Sequence, residues 1–208
     1  YEKRVRENDL PYFINLMKHL NSSGICCPKP IYDNSGKEIQ RISNKSSLLI
    51  SFLHGKSVKN IHPKHCYEVG KNLAHLHLEG MKFSQNRKND LGYNSWLPLL
   101  ESFSKYQDIS AFNNPKELEA IIADTVINWP KGLPKGQIHA DLFPNNVFFV
   151  DDKLTGIIDF YFACTDILAY DIAVCINSWC FNDKNEFMKE RVESILFGYN
   201  QIRALSKE

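Results

Sequence analysis

Apolar residues recur at helical spacing near the start of the chain, at Leu10, Phe13, Leu16, Met17 and Leu20. This spacing places all five side chains on one face of a helix. Asp9 and Pro11 are typical of a helix start, because an aspartate caps the first turn and a proline fits within it. Gly24, after two serines, is typical of a helix end. The pattern predicts an amphipathic helix over residues 10–22.

The next stretch alternates between apolar and polar residues as strands do, with breaks where turns are expected. Residues 28–39 indicate a hairpin whose turn lies at Asn34-Ser35-Gly36, since these residue types favour tight turns. Residues 47–52 indicate a third strand. The N-terminal part of the chain is therefore predicted to hold one helix and a small sheet.

This pattern changes at Leu53-His54-Gly55, and helical spacing dominates from there to about residue 125. We place a lobe boundary at this break, which divides the chain into residues 1–53 and 54–208. In the early part of the second lobe we predict a helix over residues 65–77 and another over residues 117–129. Residues 82–96, between them, are predicted to form an exposed polar loop.

The residues that indicate chemistry lie in a polar segment between two apolar ones. His139, Asp141 and Asn146 fit the pattern H-x-D-L-x-x-x-N, and Asp159-Phe160 follows thirteen positions after Asn146. This combination is the catalytic-loop and metal-ligand arrangement of kinases. Phosphoryl transfer needs a carboxylate that faces the acceptor hydroxyl and two oxygen ligands for magnesium nearby. Asp141 is the candidate carboxylate, and Asn146 and Asp159 are the candidate ligands.

Two short apolar strands follow Asn146 and precede Asp159, with Asp151-Asp152-Lys153 between them. A turn centred between Asp152 and Lys153 would set an antiparallel register in which Asn146 lies opposite Asp159. We therefore expect a hairpin that presents the two candidate metal ligands side by side at its open end.

Asp171 is an acid among apolar residues in a helix predicted over residues 166–179. A buried acid needs a partner, because an uncompensated charge is costly away from water. Two interpretations are equally open. Asp171 caps the N-terminus of the helix, or its carboxylate accepts backbone N–H groups of the catalytic loop. Both roles are structural.

Histidines and cysteines give no pattern typical of a metal centre. His75 and His77 are two positions apart in a predicted helix, so they lie on different faces and lack the i, i+4 spacing of a helical zinc pair. We interpret His77 as a packed structural residue. The six cysteines include no C-x-x-C spacing, so we expect free, mostly buried thiols.

Composition narrows the class of protein. The chain has 208 residues with 43% hydrophobic content, which is enough for one sizeable core or two small lobes. A formal net charge of +1 with scattered basic residues gives no reason to expect nucleic acid. No apolar stretch approaches the ~18–20 residues of a membrane helix, and the first residues lack the apolar core of a signal peptide. We expect a cytoplasmic protein with a small-molecule substrate and neither nucleic acid nor a membrane as partner.

Several segments resemble a known family. The chain is similar to the aminoglycoside-phosphotransferase-like kinase superfamily, and most closely to its bacterial homoserine kinase branch, at residues 139–149, 156–164, 170–180 and 198–200. The resemblance extends through nearly the whole chain. It implies an α/β (α+β), bilobal protein-kinase-like fold, with a small nucleotide-binding lobe and hinge at residues 1–53 and a mostly helical catalytic lobe at residues 54–208. The implied reaction transfers the γ-phosphoryl group of ATP to the hydroxyl of L-homoserine, with Mg²⁺.

The same resemblance assigns roles to the motif residues. Asp141 corresponds to the catalytic base, and His139 to the loop histidine that supports the fold of the site. Asn146 and Asp159 correspond to the magnesium ligands. All four are positions at which the chain matches the family's motif.

The nucleotide and the acceptor have further candidate positions. Ser51, Phe52 and Leu53 match the hinge between the lobes, where such kinases bind adenine through backbone hydrogen bonds and apolar packing. Tyr161 and Asp166 follow Asp159 closely enough to lie near the transferred phosphate. Homoserine is a zwitterion whose ammonium group needs an oxygen partner, and Asp166 is the candidate for it.

Family members are longer at both ends, and no glycine-rich loop is present between Tyr1 and Glu208. We therefore expect a chain truncated at both ends, with both lobes incomplete. Two other functions stay open. One is a kinase of the same superfamily that acts on choline, an amino sugar or an aminoglycoside, and the other is an inactive remnant.

Overall fold

The computed structural model describes residues 5–104 and 115–205. The chain divides into two compact units. The first unit is formed by Tyr1–Arg87 together with Pro134–Glu208, and the second by Lys88–Leu133. The predicted lobe boundary after Leu53 falls within the first unit and stays a prediction.

The described ranges contain both helices and short strands. The helices there are α1 (Leu10–Ser22), α2 (Pro63–Gly80), α3 (Tyr93–Ser104), α4 (Pro115–Ile127), α5 (Leu168–Trp179) and α6 (Lys189–Ile202). The strands there are β1 (Ile39–Ile42), β2 (Lys45–Leu48), β3 (Lys135–Ile138), β4 (Val147–Val150), β5 (Lys153–Ile157) and β6 (Cys164–Ile167). β1 pairs with β2, β3 with β6 and β4 with β5, all antiparallel. This mixture confirms the predicted α+β class. Within the described ranges, no helix is long and apolar enough to cross a membrane.

Helix α1 begins and ends at the predicted residues, and its apolar face is buried in the core of the first unit. Asp9 occupies the predicted N-cap position, but its side chain makes no capping hydrogen bond. Asp9 instead ends a short 3-10 turn, and its Oδ2 accepts hydrogen bonds from Nε and Nη2 of Arg87 at 3.2 and 3.1 Å. Asp9 thus ties the start of α1 to a segment 78 positions away in the chain.

The N-terminal hairpin is displaced from its predicted place. Its turn lies at Ser43-Asn44, where both residues adopt the left-handed backbone that two-residue hairpin turns require. The predicted turn at residues 34–36 forms locally around the Asp33 carboxylate, which accepts the Ser35 and Lys37 N–H groups. The residues before this turn pair instead with residues 49–51, through Ile31 N–H to the Leu49 carbonyl and Ser51 N–H to the Lys29 carbonyl. Prolines at positions 28 and 30 lack the N–H groups for a longer ladder.

The second unit consists of α3, α4 and their flanking residues. α3 begins at Tyr93, so the loop predicted over residues 82–96 ends four residues earlier than expected. Tyr93 stacks on Trp129 with ring centroids 4.6 Å apart, and Trp96 meets the same ring edge-on at 5.5 Å. These aromatic contacts join the first turn of α3 to the residues after α4.

In the first unit, α2 and α6 approach each other closely at two buried glycines. A Cβ atom added to Gly70 would overlap the backbone carbonyl of Ile195, and one added to Gly198 would overlap that of Tyr67. Backbone atoms cannot move aside as a flexible side chain would. The two helices therefore pack at this distance only because glycine occupies both positions.

We expect Gly198→Ala to destabilise the protein by at least about 2 kcal/mol, because the added methyl group forces α6 away from α2. Urea unfolding followed by circular dichroism measures this change. Glu193→Ala, at an exposed position of the same helix, is the matched control and should change stability by less than about 0.5 kcal/mol. Equal stability of the two variants would contradict the close helix packing.

Candidate active site

The loop that carries the candidate catalytic residues follows β3 and is held by the side chain of Asp171. Asp171 Oδ2 accepts the N–H of His139 at 2.7 Å, and its Oδ1 accepts the N–H of Ala140 at 2.9 Å. Asp171 lies within the first turn of α5, one residue beyond the positions where it could cap the helix. Of the two open interpretations, the structure therefore supports the anchor and not the cap.

Ala140 shows why this anchor is needed. Its φ of +62° lies in the left-handed region, which costs an alanine roughly 1–2 kcal/mol. Two charge-assisted hydrogen bonds, which one buried carboxylate accepts from the N–H groups of His139 and Ala140, offset this cost. The turn at Ala140 directs the chain into Asp141, so the anchor also sets the direction of the catalytic candidate.

Buried His77 compensates the charge of Asp171, and buried Tyr199 in turn contacts His77. His77 Nε2 lies 3.2 Å from Asp171 Oδ2, and His77 Nδ1 lies 2.7 Å from the hydroxyl of Tyr199. Burial alone would raise the pKa of Asp171. Hydrogen bonds and positive potential from His77 and the N–H of His139 nevertheless hold that pKa below its ordinary value of 3.8. His77 is thus the packed structural histidine that the sequence predicted.

His139 joins the catalytic loop to the strand that precedes Asp159. Its Nε2 donates to the carbonyl of Ile158 at 2.9 Å, and its Nδ1 accepts the N–H of Asp141 at 3.3 Å. One nitrogen donates and the other accepts, which is the pattern of a neutral imidazole. Burial lowers the pKa of His139 and favours the same state. The ring of Phe160 packs edge-on against it, with centroids 4.7 Å apart.

Asp141 and Asn146 are in direct contact. Asn146 Nδ2 donates to Asp141 Oδ2 at 3.0 Å and to the Asp141 carbonyl at 2.8 Å. The carboxylate of Asp141 is half-buried, and Asn146 is buried. Since the amide nitrogen of Asn146 binds Asp141, the amide oxygen is its atom for a metal ion. The structure therefore brings the candidate base and one candidate ligand together.

The register of the β4–β5 hairpin corrects the predicted one. The turn lies at Asp151-Asp152, and a β-bulge between Phe148 and Phe149 shifts the pairing by one residue. Asn146 consequently faces Ile158, whose N–H donates to the Asn146 carbonyl at 2.9 Å. Asp159 comes one position later, and its left-handed backbone (φ +64°, ψ +57°) turns the chain there. The two candidate ligands both lie at the open end of the hairpin, one beside each strand, although they are not directly opposite each other.

The predicted hinge lies against the same hairpin. Ser51 exchanges two hydrogen bonds with the backbone of Lys29, both at 2.9 Å. Phe52 is 82% exposed, and Leu53 packs over Gly156 of β5. Just beyond, Lys56 and Phe149 form a pair of backbone hydrogen bonds at 3.0 and 2.9 Å. The hinge residues are thus fixed relative to the hairpin that carries Asn146 and Asp159.

The two candidate acceptor residues lie between Asp159 and Asp171. Tyr161 belongs to the short 3-10 turn after Asp159, and its ring meets Phe13 of α1 edge-on at 5.5 Å. Asp166 lies on β6 opposite Gly136, and its Oδ1 accepts the N–H of Ile167 at 2.8 Å. Their role in acceptor binding stays a prediction.

Sequence analysis missed Trp179, whose Nε1–H donates to the carbonyl of Leu142 at 2.7 Å in the buried interior. Trp179 lies eight residues after Asp171, so both side chains are on one face of α5 and hold the same loop at two points. That spacing was the available signal. The role of Tyr199, on α6, depends on tertiary contacts and had no local signal.

We expect Asp171→Asn to destabilise the protein by about 3 kcal/mol, because an amide removes the charge and leaves a loop N–H without an acceptor. Urea unfolding of the variant, with the exposed Asp183→Asn as control, measures this loss. Because the native pKa of Asp171 lies below its ordinary value, the stabilisation is present at neutral pH and is lost as the pH falls below about 4. The variant should therefore lack part of the acid sensitivity of the wild type. Unfolding curves that match those of the control at both pH 7 and pH 4 would contradict the anchoring role.

Known proteins are similar to this chain in sequence or in fold. Residues 1–205 match the family model described as the phosphotransferase enzyme family. The homoserine kinase of Xanthobacter autotrophicus is 46% identical over 206 residues, and that of Mesorhizobium japonicum is 45% identical over 208. These alignments cover 99% and 100% of this chain but 64% and 65% of the relatives, so the chain spans about two thirds of their length.

A solved structure of an amicoumacin kinase in complex with AMP-PNP and Ca²⁺ has a similar fold. The TM-score is 0.75 at 17% identity, and the match covers 97% of this chain and 64% of that one. This likeness confirms the predicted kinase-like fold. With the family match over nearly its whole length, the chain belongs to the phosphotransferase enzyme family.

Proposed function

We propose that the complete protein transfers the γ-phosphoryl group of ATP to the side-chain hydroxyl of L-homoserine, a step of threonine biosynthesis. The observation that carries the proposal is the contact between Asp141 and Asn146 on a loop anchored by Asp171. This contact joins a carboxylate for the acceptor hydroxyl to an amide oxygen for a metal ion. Homoserine is proposed as acceptor because the curated relatives at 46% and 45% identity are homoserine kinases.

Asp141 is the proposed catalytic base. As the acceptor oxygen forms its bond to the γ-phosphorus, the bond from that phosphorus to the bridging oxygen breaks, and ADP leaves. The proton of the hydroxyl passes to the Asp141 carboxylate. The hydrogen bond from Asn146 fixes the rotation of that carboxylate, which aligns it with the acceptor and contributes to catalysis through positioning.

Asn146 and Asp159 are the proposed magnesium ligands. Their donor atoms fit this cation, because Mg²⁺ prefers carboxylate and carbonyl oxygens. Bound magnesium neutralises charge on the phosphates. His139 of the catalytic loop binds the carbonyl of Ile158, next to Asp159. This hydrogen bond fixes the position of the loop relative to the β4–β5 hairpin.

The adenine of ATP is proposed to lie at Ser51-Phe52-Leu53. The exposed ring of Phe52 offers apolar surface, and these residues adjoin the hairpin that carries the metal ligands. Tyr161 and Asp166 are proposed to contact the acceptor, with the Asp166 carboxylate near the ammonium group of homoserine. A cytoplasmic location, and the lack of nucleic-acid or membrane partners, rest on composition alone.

We expect the full-length protein to release ADP from ATP on addition of L-homoserine in a coupled assay, and to do so less efficiently with choline or an aminoglycoside. Asp141→Asn should lower kcat by about 10²–10⁴-fold, since this is the usual contribution of a positioned base, and should leave MgATP binding in isothermal titration unchanged. Asp151→Asn, in the exposed hairpin turn, is the control and should keep full activity. Greater efficiency with another acceptor would replace homoserine. No ADP release with any acceptor would favour the inactive remnant.

We expect Asp159→Asn to raise the Mg²⁺ concentration for half-maximal activity by at least about tenfold, equivalent to about 1.4 kcal/mol. Asparagine tolerates the left-handed backbone of this position, so the change removes charge without disturbing the turn. Asn146→Ala should raise the requirement less but should also lower kcat, because it removes the hydrogen bonds to Asp141. Magnesium titrations at saturating ATP measure both effects. An unchanged magnesium requirement in the two variants would refute the ligand assignment.

A further inference from the structure

A second group of metal-ligating side chains lies at the turn end of the β4–β5 hairpin, away from Asn146 and Asp159. It consists of His62, His65 and Asp152, and each residue offers one ligand atom within 4.8 Å of the others. Among the described residues, it is the one group of at least three His, Cys, Asp or Glu side chains whose ligand atoms lie close enough together to hold a metal ion. It is separate from the proposed phosphotransfer site and has no part in the mechanism above.

Local structure explains why the two histidines meet. His62 immediately precedes α2, and its carbonyl accepts the N–H of His65 at 3.0 Å. A three-residue separation across the first helical turn places both rings on one side. The ring centroids are 3.8 Å apart. Asp152 reaches the same place because the hairpin turn lies at Asp151-Asp152 and not one residue later.

The distances between these groups suit a shared cation better than direct hydrogen bonds. Asp152 Oδ1 lies 3.5 Å from His65 Nε2 and 3.8 Å from His62 Nε2. Both exceed the usual N–H···O range of about 2.7–3.2 Å. Two ligands bound to one zinc ion at about 2.0–2.1 Å in tetrahedral geometry are about 3.3–3.4 Å apart. Small side-chain movements would bring the three atoms to that spacing.

His65 has an unsatisfied polar atom at this place. Its relative exposure is 4%, and its buried Nδ1 has no hydrogen-bond partner among the described residues. A buried imidazole without a good hydrogen bond is costly. Nδ1 is not the nitrogen that faces Asp152; Nε2 is, at 3.5 Å from Oδ1, so neither ring nitrogen has a hydrogen bond of ordinary length among the described residues. A cation bound to Nε2 would give the buried ring one strong partner.

The charge states of the group also suit a cation. Metal binding requires neutral imidazole and ionised carboxylate. Burial lowers the pKa of His65, which keeps the ring neutral. A hydrogen bond from Lys64 lowers the pKa of Asp152 and keeps it ionised. Lys64 Nζ lies 3.0 Å from Oδ2 of that carboxylate, so Oδ1 is the oxygen beside the histidines.

We propose that His62, His65 and Asp152 bind one transition-metal dication of the zinc class, with water as a further ligand. Two imidazole nitrogens and one carboxylate oxygen are a common donor set for zinc, whereas Mg²⁺ prefers oxygen donors alone. The cation ties the start of α2 to the turn of the β4–β5 hairpin. The site therefore has a structural role: it stabilises the position of the hairpin that carries Asn146 and Asp159.

The test uses full-length protein stripped of metal with a chelator and then titrated with Co²⁺, whose visible absorption reports nitrogen and oxygen ligation, and with Zn²⁺ by calorimetry. We expect one equivalent of either ion to bind and the thermal midpoint to rise with Zn²⁺. His62→Gln and Asp152→Asn should each weaken binding by at least about tenfold and abolish that rise. His75→Gln, at an exposed position of the same helix, is the matched control and should bind as wild type.

Three further variants test whether residues outside this group bind the Co²⁺ ion. Cys26→Ser, which removes the exposed thiol, and Asp159→Asn should both retain Co²⁺ binding. Lys64→Met should retain or strengthen it, since a competing cation is removed. The proposal would be overturned by a wild type that binds no Co²⁺ at millimolar concentration, by His62→Gln and Asp152→Asn binding as wild type, or by loss of binding in Cys26→Ser or Asp159→Asn.

Discussion

The buried carboxylate of Asp171 is the interaction on which the rest of the candidate site depends. It holds the N–H groups of two successive residues, His139 and Ala140, and so fixes a left-handed turn that the loop could not keep by itself. That turn sets the direction of Asp141. His77 and Tyr199, from α2 and α6, make the buried charge tolerable. The position of the catalytic candidate therefore depends on the packing of three helices, and not on the loop alone.

The same three helices explain why the glycines of α2 and α6 matter for the site. Gly70 and Gly198 allow the helix backbones to approach closely. Gly198 directly precedes Tyr199, whose hydroxyl meets His77. A wider separation of the helices would lengthen that contact first and would then weaken the support of Asp171. Helix packing and the electrostatics of the site are thus linked through one pair of neighbouring residues.

The sequence predicted those features that depend on local patterns. The apolar spacing predicted α1, the residues at its start and end (Asp9, Pro11 and Gly24) gave its bounds, and the motif from His139 to Asn146 identified the loop. Features set by distant contacts were not predictable. Asp9 was expected to cap α1, but Arg87 binds it. The hairpin register was expected to pair Asn146 with Asp159, but the turn lies at Asp151-Asp152, one position earlier than predicted, and the bulge at Phe148 offsets only half of the resulting shift. No local pattern in the sequence marks that bulge.

Trp179 gives the molecule a built-in optical reporter. The chain has three tryptophans, of which Trp96 and Trp129 belong to the second unit and contact each other there. Trp179 lies in the first unit, and its indole N–H binds the carbonyl of Leu142 in the catalytic loop. Indole fluorescence is sensitive to such a bond and to burial. Emission from Trp179 would thus follow the loop itself, without an attached dye, while the other two indoles report on a different part of the chain.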